Sequence, residues 1–285
     1  MQLKVTSFDA PLGAEVIGID LTTPQSPDVI KQLRAAWLKH QVLVVRDQQI
    51  SQDDQRRFVN YFGELQRPRG KPTNLNPDIL YVANVTIDGE EGALPEGDMH
   101  FHADQCYYET PTAGAVLYGM EVPSMGGHTL FANMYKAYQT LPRHLFSKIE
   151  GRDILFSYDS EKNSYKRAVL DTSKLPSYVH PAVIQHPQTG RPVLFINRLM
   201  ADSIIGLPKS ESDEVLNAIF EHIEQKDMFY EHVWRKGDVV LWDNFSTLHA
   251  RTDFDPSEKR VLRRMAIRGL KPSRYTQHPM PILAQ

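Results

Sequence analysis

The chain has 285 residues, 41% of them hydrophobic and 24% charged, and its formal net charge is −3. This composition is typical of a globular protein, excludes an intrinsically disordered chain, and lacks the basic excess of a nucleic-acid-binding protein. The lone cysteine, Cys106, excludes an internal disulfide and a multi-cysteine zinc site, which favours a reducing compartment. No apolar targeting segment opens the chain, and no run approaches about 20 apolar residues. We therefore predict a cytoplasmic protein with one domain over residues 1–285 and with neither nucleic-acid nor membrane partners.

The first 62 residues predict two helices with a strand between them. Residues 27–40 carry apolar side chains at helical spacing, and Ser26 is placed to cap that helix. Residues 41–46 form an apolar run of strand length. A second helix is predicted from the sequence that starts at Ser51, which resembles a capping box, as far as residue 62.

From about residue 79 the sequence consists of many short apolar segments separated by turn-forming residues, which is typical of a β-rich fold. Two helical segments, 135–151 and 212–225, interrupt the strands. We predict a mainly β protein with flanking helices, a double-stranded β-helix (jelly roll, cupin-like) whose helices cover the outside of one sheet. The predicted strands span residues 79–86, 113–122, 128–133, 182–185, 192–197, 228–234, 238–242 and 261–269.

His102-Ala103-Asp104 is a candidate metal-binding motif in a chain with eleven histidines. If this segment is extended, residues two apart point to the same face, and the imidazole and the carboxylate can bind one divalent metal. The motif is weak alone, because His-x-Asp occurs by chance in many chains. A second histidine from elsewhere would complete a set of two histidines and one carboxylate, which leaves open coordination positions on Fe(II).

His249 is the best candidate for that second histidine. It follows segment 237–244, which predicts a turn, a strand and a polar corner. A histidine just past a barrel strand can point to the barrel mouth. The alternative is a hydrogen-bonded histidine at a corner of the fold.

The last predicted strand, 261–269, mixes arginines with apolar residues. Period 2 places Arg260, Arg264 and Arg268 on one face and Arg263 on the other. A buried arginine needs a counter-ion, and a bound dicarboxylate would supply one. Arg260 and Arg264 are about 13 Å apart at strand rise, so they can serve separate anions. The pattern leaves open the alternative that the arginine-bearing face lies outside.

Taken in order, these motifs resemble the taurine dioxygenase / 2,4-dichlorophenoxyacetate dioxygenase (TauD/TfdA) family of Fe(II)- and 2-oxoglutarate-dependent oxygenases. The resemblance covers nearly the whole chain and implies an oxidoreductase that couples oxidative decarboxylation of 2-oxoglutarate to hydroxylation of a C–H bond, with O₂ as oxidant. We also expect a homo-oligomer, a dimer or a tetramer. The matching segments are 13–21, 44–48, 62–65, 102–104, 123–133, 186–197 and 237–244, together with His249, Arg260 and Arg264.

The resemblance implies functions for five residues that bind the metal or the cosubstrate. His102, Asp104 and His249 match the iron ligands of the family. Thr129 and Arg260 match the residues that bind the distal carboxylate of 2-oxoglutarate.

Four residues are candidate contacts of a small anionic substrate. Arg264 matches a second family arginine, which faces either the substrate's acid group or the α-carboxylate of 2-oxoglutarate. Arg67 belongs to a basic segment, 67–71, that follows a motif lining the site entrance in relatives. Tyr107 would add an aromatic wall, and Asp98 falls where the taurine enzyme has a substrate-contacting asparagine.

Three alternatives remain open at this point. The same site could catalyse desaturation, cyclisation or oxidative decarboxylation of an amino-acid-derived substrate, whose amine Asp98 would bind. A zinc hydrolase could use the same three ligands. A non-catalytic jelly-roll binding protein could keep the fold without the reaction.

Overall fold

The computed structural model describes residues 3–69, 77–89, 91–93, 97–158 and 175–276. In these residues, no helix combines the length and the apolar character needed to cross a membrane. The α-helices found there are α1 (Pro27–His40), α2 (Gln52–Asn60), α3 (Met134–Thr140), α4 (Arg143–Ile149) and α5 (Lys209–Ile223).

Most strands of the described chain belong to two sheets that face each other. The strands of the larger sheet are β1 (Lys4–Ser7), β2 (Ala14–Ile17), β3 (Val42–Val45), β4 (Leu65–Gln66), β5 (Leu80–Ala83), β7 (Gly114–Glu121), β15 (Val239–Asp243) and β17 (Val261–Ile267). The strands of the smaller sheet are β6 (Met99–His102), β8 (Thr129–Asn133), β14 (Phe229–His232) and β16 (Thr247–Arg251).

The larger sheet has the order β1-β2-β3-β15-β7-β17-β4, with β5 also paired to β17, and the smaller sheet has the order β14-β8-β16-β6. Within each sheet the recorded pairs are antiparallel, except for β2 with β3. Two further sheets of three strands lie beside them. Their strands are β9 (Asp153–Ser157), β10 (Ser177–Pro181) and β13 (Ala201–Ile204), and β11 (Val183–Gln185), β12 (Pro192–Leu194) and β18 (Ser273–Arg274).

An apolar cluster fills one part of the space between the two main sheets. Leu117, Trp242 and Leu262 come from the larger sheet, and Phe131 comes from the smaller one. Strands that are buried on both faces read as continuous apolar runs, which is why the sequence of β15 carried a strong strand signal. The rest of the space between the sheets is the cavity described below.

The helices α1 and α2 cover the outer face of the larger sheet. Ser26 accepts a hydrogen bond from the Val29 amide at the start of α1, and Ser51 forms a capping box with Asp54 at the start of α2. Their apolar faces pack on the sheet with residues such as Phe58. The bounds of α1 confirm the prediction for 27–40, whereas α2 is shorter than predicted.

The helices α3, α4 and α5 contribute to the hydrophobic core on the outer side of the smaller sheet. The prediction of one helix over 135–151 is wrong, because the chain leaves the helical conformation at Leu141 and Pro142 and forms two helices instead. Proline has no amide to continue a helical hydrogen bond, so it fits only the beginning of α4. Asn133 caps α3 by accepting hydrogen bonds from two amides.

Strand β17 settles which way its arginines point. Arg260, immediately before the strand, and Arg264 line the cavity between the sheets, so the alternative that this face lies outside is wrong. Arg263 lies on the opposite face, under α2. Arg268 does not share the inner face as period 2 predicted, because the strand ends at Ile267 and Arg268 is exposed beside Glu64.

Arg263 is a buried charge whose hydrogen bonds come from the protein itself. Its guanidinium donates to Gln55 Oε1 at 2.6 Å and to the carbonyl oxygens of Ile50 and Ser51 at 3.0 Å. Gln55 in turn donates to the carbonyl oxygens of Val116 and Arg263. The side chain of Gln55 therefore joins α2 to two central strands.

Replacing this glutamine should destabilise the fold. We expect Gln55→Leu to lower the free energy of unfolding by about 2–4 kcal/mol, because a buried guanidinium loses an acceptor. Urea unfolding followed by circular dichroism measures the change. The control is Arg268→Ala, an exposed position, which should change it by less than about 0.5 kcal/mol. Equal effects of the two variants would contradict this account of Arg263.

Candidate active site

His102 and His249 lie opposite each other on neighbouring strands of the smaller sheet. The antiparallel register pairs them directly, so both side chains emerge on the same face, and their ring centroids are 4.1 Å apart. His102 Nδ1 lies 2.9 Å from the His100 carbonyl oxygen, which can only accept, so Nδ1 donates and Nε2 keeps its lone pair. His249 lies in the middle of β16 and not just past a strand, so that expectation is wrong.

Asp104 reaches the histidines from a turn. Strand β6 ends at His102, and Asp104 belongs to the turn that follows, so the segment is not extended throughout as predicted. Asn244, at the end of β15, fixes this turn: its Oδ1 accepts from the Asp104 amide at 2.7 Å, and its Nδ2 donates to the Asp104 carbonyl at 3.1 Å. The same Nδ2 donates to the Thr112 carbonyl at 2.8 Å, which ties the turn to the chain before β7.

The three side chains form a donor set suited to a divalent metal. Each of His102, Asp104 and His249 offers one ligand atom, and these atoms lie within 4.8 Å of one another. Asp104 Oδ1 lies 3.9 Å from His249 Nε2, while its Oδ2 accepts a hydrogen bond from Arg264 at 2.7 Å. Two imidazoles and one carboxylate oxygen fit the facial triad of non-haem iron.

The electrostatics of the site keep these donors in the metal-binding protonation state. Burial, reinforced by the neighbouring His102, lowers the pKa of His249 to about 3, and burial also lowers the pKa of His102. Burial alone would raise the pKa of Asp104, but the positive charge of Arg264 and its hydrogen bond to the carboxylate outweigh burial and lower that pKa. At neutral pH the imidazoles are therefore neutral and the carboxylate is ionised.

Arg260 and Thr129 lie together in the same cavity wall. The Arg260 Nε donates to the Gly127 carbonyl at 2.9 Å, and a Cβ at Gly127 would lie 3.0 Å from that nitrogen, so glycine is needed for this approach. Among the described residues, no hydrogen-bond partner lies near the buried Nη1 of Arg260. Burial, together with the charge of Arg251, lowers the pKa of Arg260 to about 9. An anion at this position would satisfy both the charge and the free donor.

The cavity that joins these features has a volume of about 780 Å³. The three candidate metal ligands, Thr129, Arg260 and Arg264 all line it. Its remaining wall is largely apolar and aromatic, and its lining includes Leu80, Val82, Met99, Tyr107, Tyr108, Leu117, Tyr158, Leu199, Met200 and Trp242.

The structure brings only some of the candidate substrate contacts to this cavity. Tyr107 and Arg264 line it, and Tyr107 packs against Tyr158 with ring centroids 5.0 Å apart. Arg67 is exposed and is not among the lining residues. Asp98 is also exposed, and its Oδ1 accepts a hydrogen bond from the Asp253 amide at 2.5 Å. Of the basic segment 67–71, residues 70–71 lie outside the described residues.

Two residues at the site were not predicted as functional from the sequence. Asn244 was noted only as part of a matching segment, and Arg251 was not considered. Both are buried polar residues close to His249 in sequence, and a buried polar side chain next to a candidate ligand is the signal that could have identified them. Their contacts depend on segments far away in the chain, which no local pattern reveals.

The comparison with protein families supports the interpretation of this geometry. The model of the family described as "Taurine catabolism dioxygenase TauD, TfdA family" matches residues 4–266. The chain belongs to this family. It is a dioxygenase dependent on 2-oxoglutarate, also called alpha-ketoglutarate, and hence an oxidoreductase, and the family implies the use of iron and O₂.

Individual relatives match along nearly their full length. The (S)-phenoxypropionate/alpha-ketoglutarate-dioxygenase of Sphingobium herbicidovorans is 33% identical over 274 residues, which covers 93% of this chain and 94% of that protein. The alpha-ketoglutarate-dependent 2,4-dichlorophenoxyacetate dioxygenase of Cupriavidus pinatubonensis is 30% identical over 268 residues, covering 88% and 92%. The crystal structure of AAD-2 in complex with Mn(II) and N-oxalylglycine superposes with a TM-score of 0.81 at 27% identity, covering 95% and 99%. The jelly-roll prediction is confirmed.

The hydrogen bonds of Asn244 predict an indirect effect on metal binding. We expect Asn244→Ala to weaken Mn(II) affinity by about tenfold, because outer hydrogen bonds that orient a ligand typically contribute that much. Titration followed by electron paramagnetic resonance measures the affinity. Asn133→Ala, which removes the cap of α3 and does not contact the triad, is the control and should leave it unchanged. An Asn244→Ala affinity equal to that of the wild type would show that the turn holds Asp104 without this contact.

Proposed function

We propose that the chain binds Fe(II) through His102, Asp104 and His249 and hydroxylates a small acid at the expense of 2-oxoglutarate. The observation that carries this is the convergence of the three ligand atoms at a cavity that also holds Arg260 with an unsatisfied, buried donor. The overall reaction converts 2-oxoglutarate, O₂ and a C–H bond into succinate, CO₂ and an alcohol. O₂ is the oxidant, and a bound iron would supply the activation of O₂ that this chemistry requires.

The residues of the chain supply orientation and a largely dry cavity. His102 and His249 present nitrogen lone pairs, and Asp104 presents one oxygen while Arg264 binds the other. Arg260 and Thr129 would bind the distal carboxylate of 2-oxoglutarate, and the bidentate geometry of arginine suits a carboxylate. The apolar wall excludes water from the reacting groups.

The substrate is proposed to be an acid with an apolar body. Arg264 lies on the cavity wall beside the triad, four residues along β17 from Arg260, and can face a second anion. Arg264 also donates a hydrogen bond to Asp104 Oδ2 at 2.7 Å, so it can link the acid group of a substrate to a proposed metal ligand. Two relatives are named for phenoxypropionate and 2,4-dichlorophenoxyacetate, which supports a carboxylate attached to an apolar group.

The amine-binding alternative has less support. Asp98 is exposed, hydrogen-bonds a backbone amide and is not among the residues that line the cavity. The aromatic residues Tyr107, Tyr108 and Tyr158 instead form an apolar part of the wall. The experiment that tests the proposed function is succinate release with Fe(II), 2-oxoglutarate and a panel of carboxylates, sulfonates and amino acids. Asp104→Ala is the inactive reference, and release by no member of the panel would contradict the proposal.

Arg260→Ala should impair use of the cosubstrate. Losing a charged hydrogen bond from a desolvated site costs roughly 2–5 kcal/mol, so we expect the concentration of 2-oxoglutarate at half-maximal rate to rise by about 30-fold or more. Steady-state succinate release at varied 2-oxoglutarate measures this. Arg263→Lys, on the opposite face of β17, serves as the control. If Arg260→Ala needs no more 2-oxoglutarate than the wild type, binding of the distal carboxylate would have to be assigned to Arg264.

The acid group of the substrate should be essential for efficient turnover. We expect the wild-type enzyme to use the methyl ester of a substrate acid at least about 30-fold less efficiently than the acid, because the ester offers Arg264 no charged acceptor. In Arg264→Ala the difference between ester and acid should largely disappear, whereas Arg268→Ala should retain it. Equal kcat/KM for ester and acid in the wild type would contradict an anionic substrate.

A further inference from the structure

Trp234 lies two residues after β14, and its indole contacts the residue at the start of β8. The Nε1 atom donates to Thr129 Oγ1 at 2.9 Å, and both side chains are buried. The register explains the contact, because His232 of β14 is paired with Thr129, and Trp234 follows His232 by two residues. The indole therefore reaches Thr129, in the wall of the cavity, from the end of the neighbouring strand.

This contact determines the direction in which the Thr129 hydroxyl can donate. An indole N–H only donates, so Oγ1 of Thr129 must be the acceptor. The hydroxyl has one proton, and in the described part of the chain it makes no second hydrogen bond. Its proton is therefore free for a ligand, and Thr129 lines the cavity beside Arg260. Accepting one hydrogen bond also strengthens the donation of another.

The surroundings of Trp234 hold the indole in place. A Cβ at Gly119 would lie 3.3 Å from Cε3 of the indole, so the absence of a side chain there makes room for the ring. The ring packs edge-on against His232, with centroids 4.6 Å apart. The next amide, that of Arg235, donates to the buried carboxylate of Asp238 at 2.8 Å. The indole is thus fixed from three sides.

We propose that Trp234 is a positioning residue for cosubstrate binding: its N–H holds Thr129 in the orientation that directs the hydroxyl proton at the distal carboxylate of 2-oxoglutarate. The inference rests on the proposed function, because it places that carboxylate between Thr129 and Arg260. The competing explanation is that Trp234 only fills space in the core between the sheets, where it packs among buried apolar residues.

The test compares two ligands that differ only at the distal end. The dissociation constants of 2-oxoglutarate and of 2-oxopentanoate, which has a methyl group in place of the distal carboxylate, are measured by calorimetry on anaerobic, Mn(II)-loaded protein.

The variants are Trp234→Phe, Thr129→Val, the double variant and Thr129→Ser. Trp37→Phe removes another buried indole, on α1, and is the matched control. Replacing Trp234 by benzothienylalanine, which keeps the shape and lacks the N–H, covers the case in which Trp234→Phe fails to fold.

We expect Trp234→Phe to weaken the binding of 2-oxoglutarate by about fivefold, because it removes one neutral hydrogen bond. Thr129→Val should weaken this binding by about tenfold, because it removes a hydrogen bond to a charged carboxylate. Neither should change 2-oxopentanoate binding. The double variant should resemble Thr129→Val, since Trp234 acts through the hydroxyl. Thr129→Ser, which keeps the hydroxyl, should bind 2-oxoglutarate more tightly than Thr129→Val does, and Trp37→Phe should bind it as the wild type does.

Three results would overturn the inference and leave the proposed function intact. Trp234→Phe could weaken the binding of both ligands equally, or it could show its full effect even in the Thr129→Val background. In the third, Trp234→Phe and the benzothienylalanine variant leave 2-oxoglutarate binding unchanged while Thr129→Val weakens it. If Thr129→Val also leaves 2-oxoglutarate binding unchanged, the inference is overturned together with the proposed position of the cosubstrate.

Discussion

The antiparallel pairing of β6 with β16 is the constraint on which the site depends. It sets His102 directly opposite His249, so that two residues far apart in sequence emerge on one face of one sheet. The cross-strand distance is fixed by backbone hydrogen bonds and not by flexible side chains. The third donor, Asp104, is positioned differently. If β6 continued as a straight strand, Asp104 would lie further along the sheet, away from the two histidines. The chain turns after His102, and the side chain of Asn244 holds that turn against the end of β15.

The buried arginines at β17 differ in how the protein balances their charges. Arg263 faces the helices and receives three acceptors from the protein, so its burial is balanced within the fold. Arg260 faces the cavity and keeps a buried donor without a partner among the described residues. Arg264 shares the carboxylate of Asp104. This contrast between Arg263 and Arg260 supports the proposal that Arg260 binds an anionic ligand.

The cavity is therefore polar beside the proposed metal ligands and the arginines at β17 and largely apolar elsewhere, although Arg69, Glu91, Gln105 and Arg251 also line it. The triad carries an ionised carboxylate and two neutral imidazoles, and two guanidiniums flank it along β17. Aromatic and aliphatic side chains form the remaining wall, which suits the body of an organic acid more than a strongly solvated group. Arg264 contacts a proposed metal ligand and also faces the cavity, so the acid group of a substrate and the coordination of the metal are neighbours in this site.

The sequence by itself determined the fold class and the family, because both are carried by local patterns and short motifs, and it singled out His102, Asp104 and His249 as candidate ligands. Helix α1 and the long apolar strands β7 and β15 were predictable since their patterns are long and unambiguous. Short strands such as β6 and β16 were not, because a few mixed residues become a strand only when a neighbour supplies hydrogen bonds. The tertiary structure alone decided which face of β17 is buried against helices, that Asn244 fixes the turn at Asp104, and that Asp98 and Arg67 are not among the residues that line the cavity. Each of these depends on contacts between residues more than a hundred positions apart or on where the chain happens to turn, and the periodicity of a single segment contains no information about either.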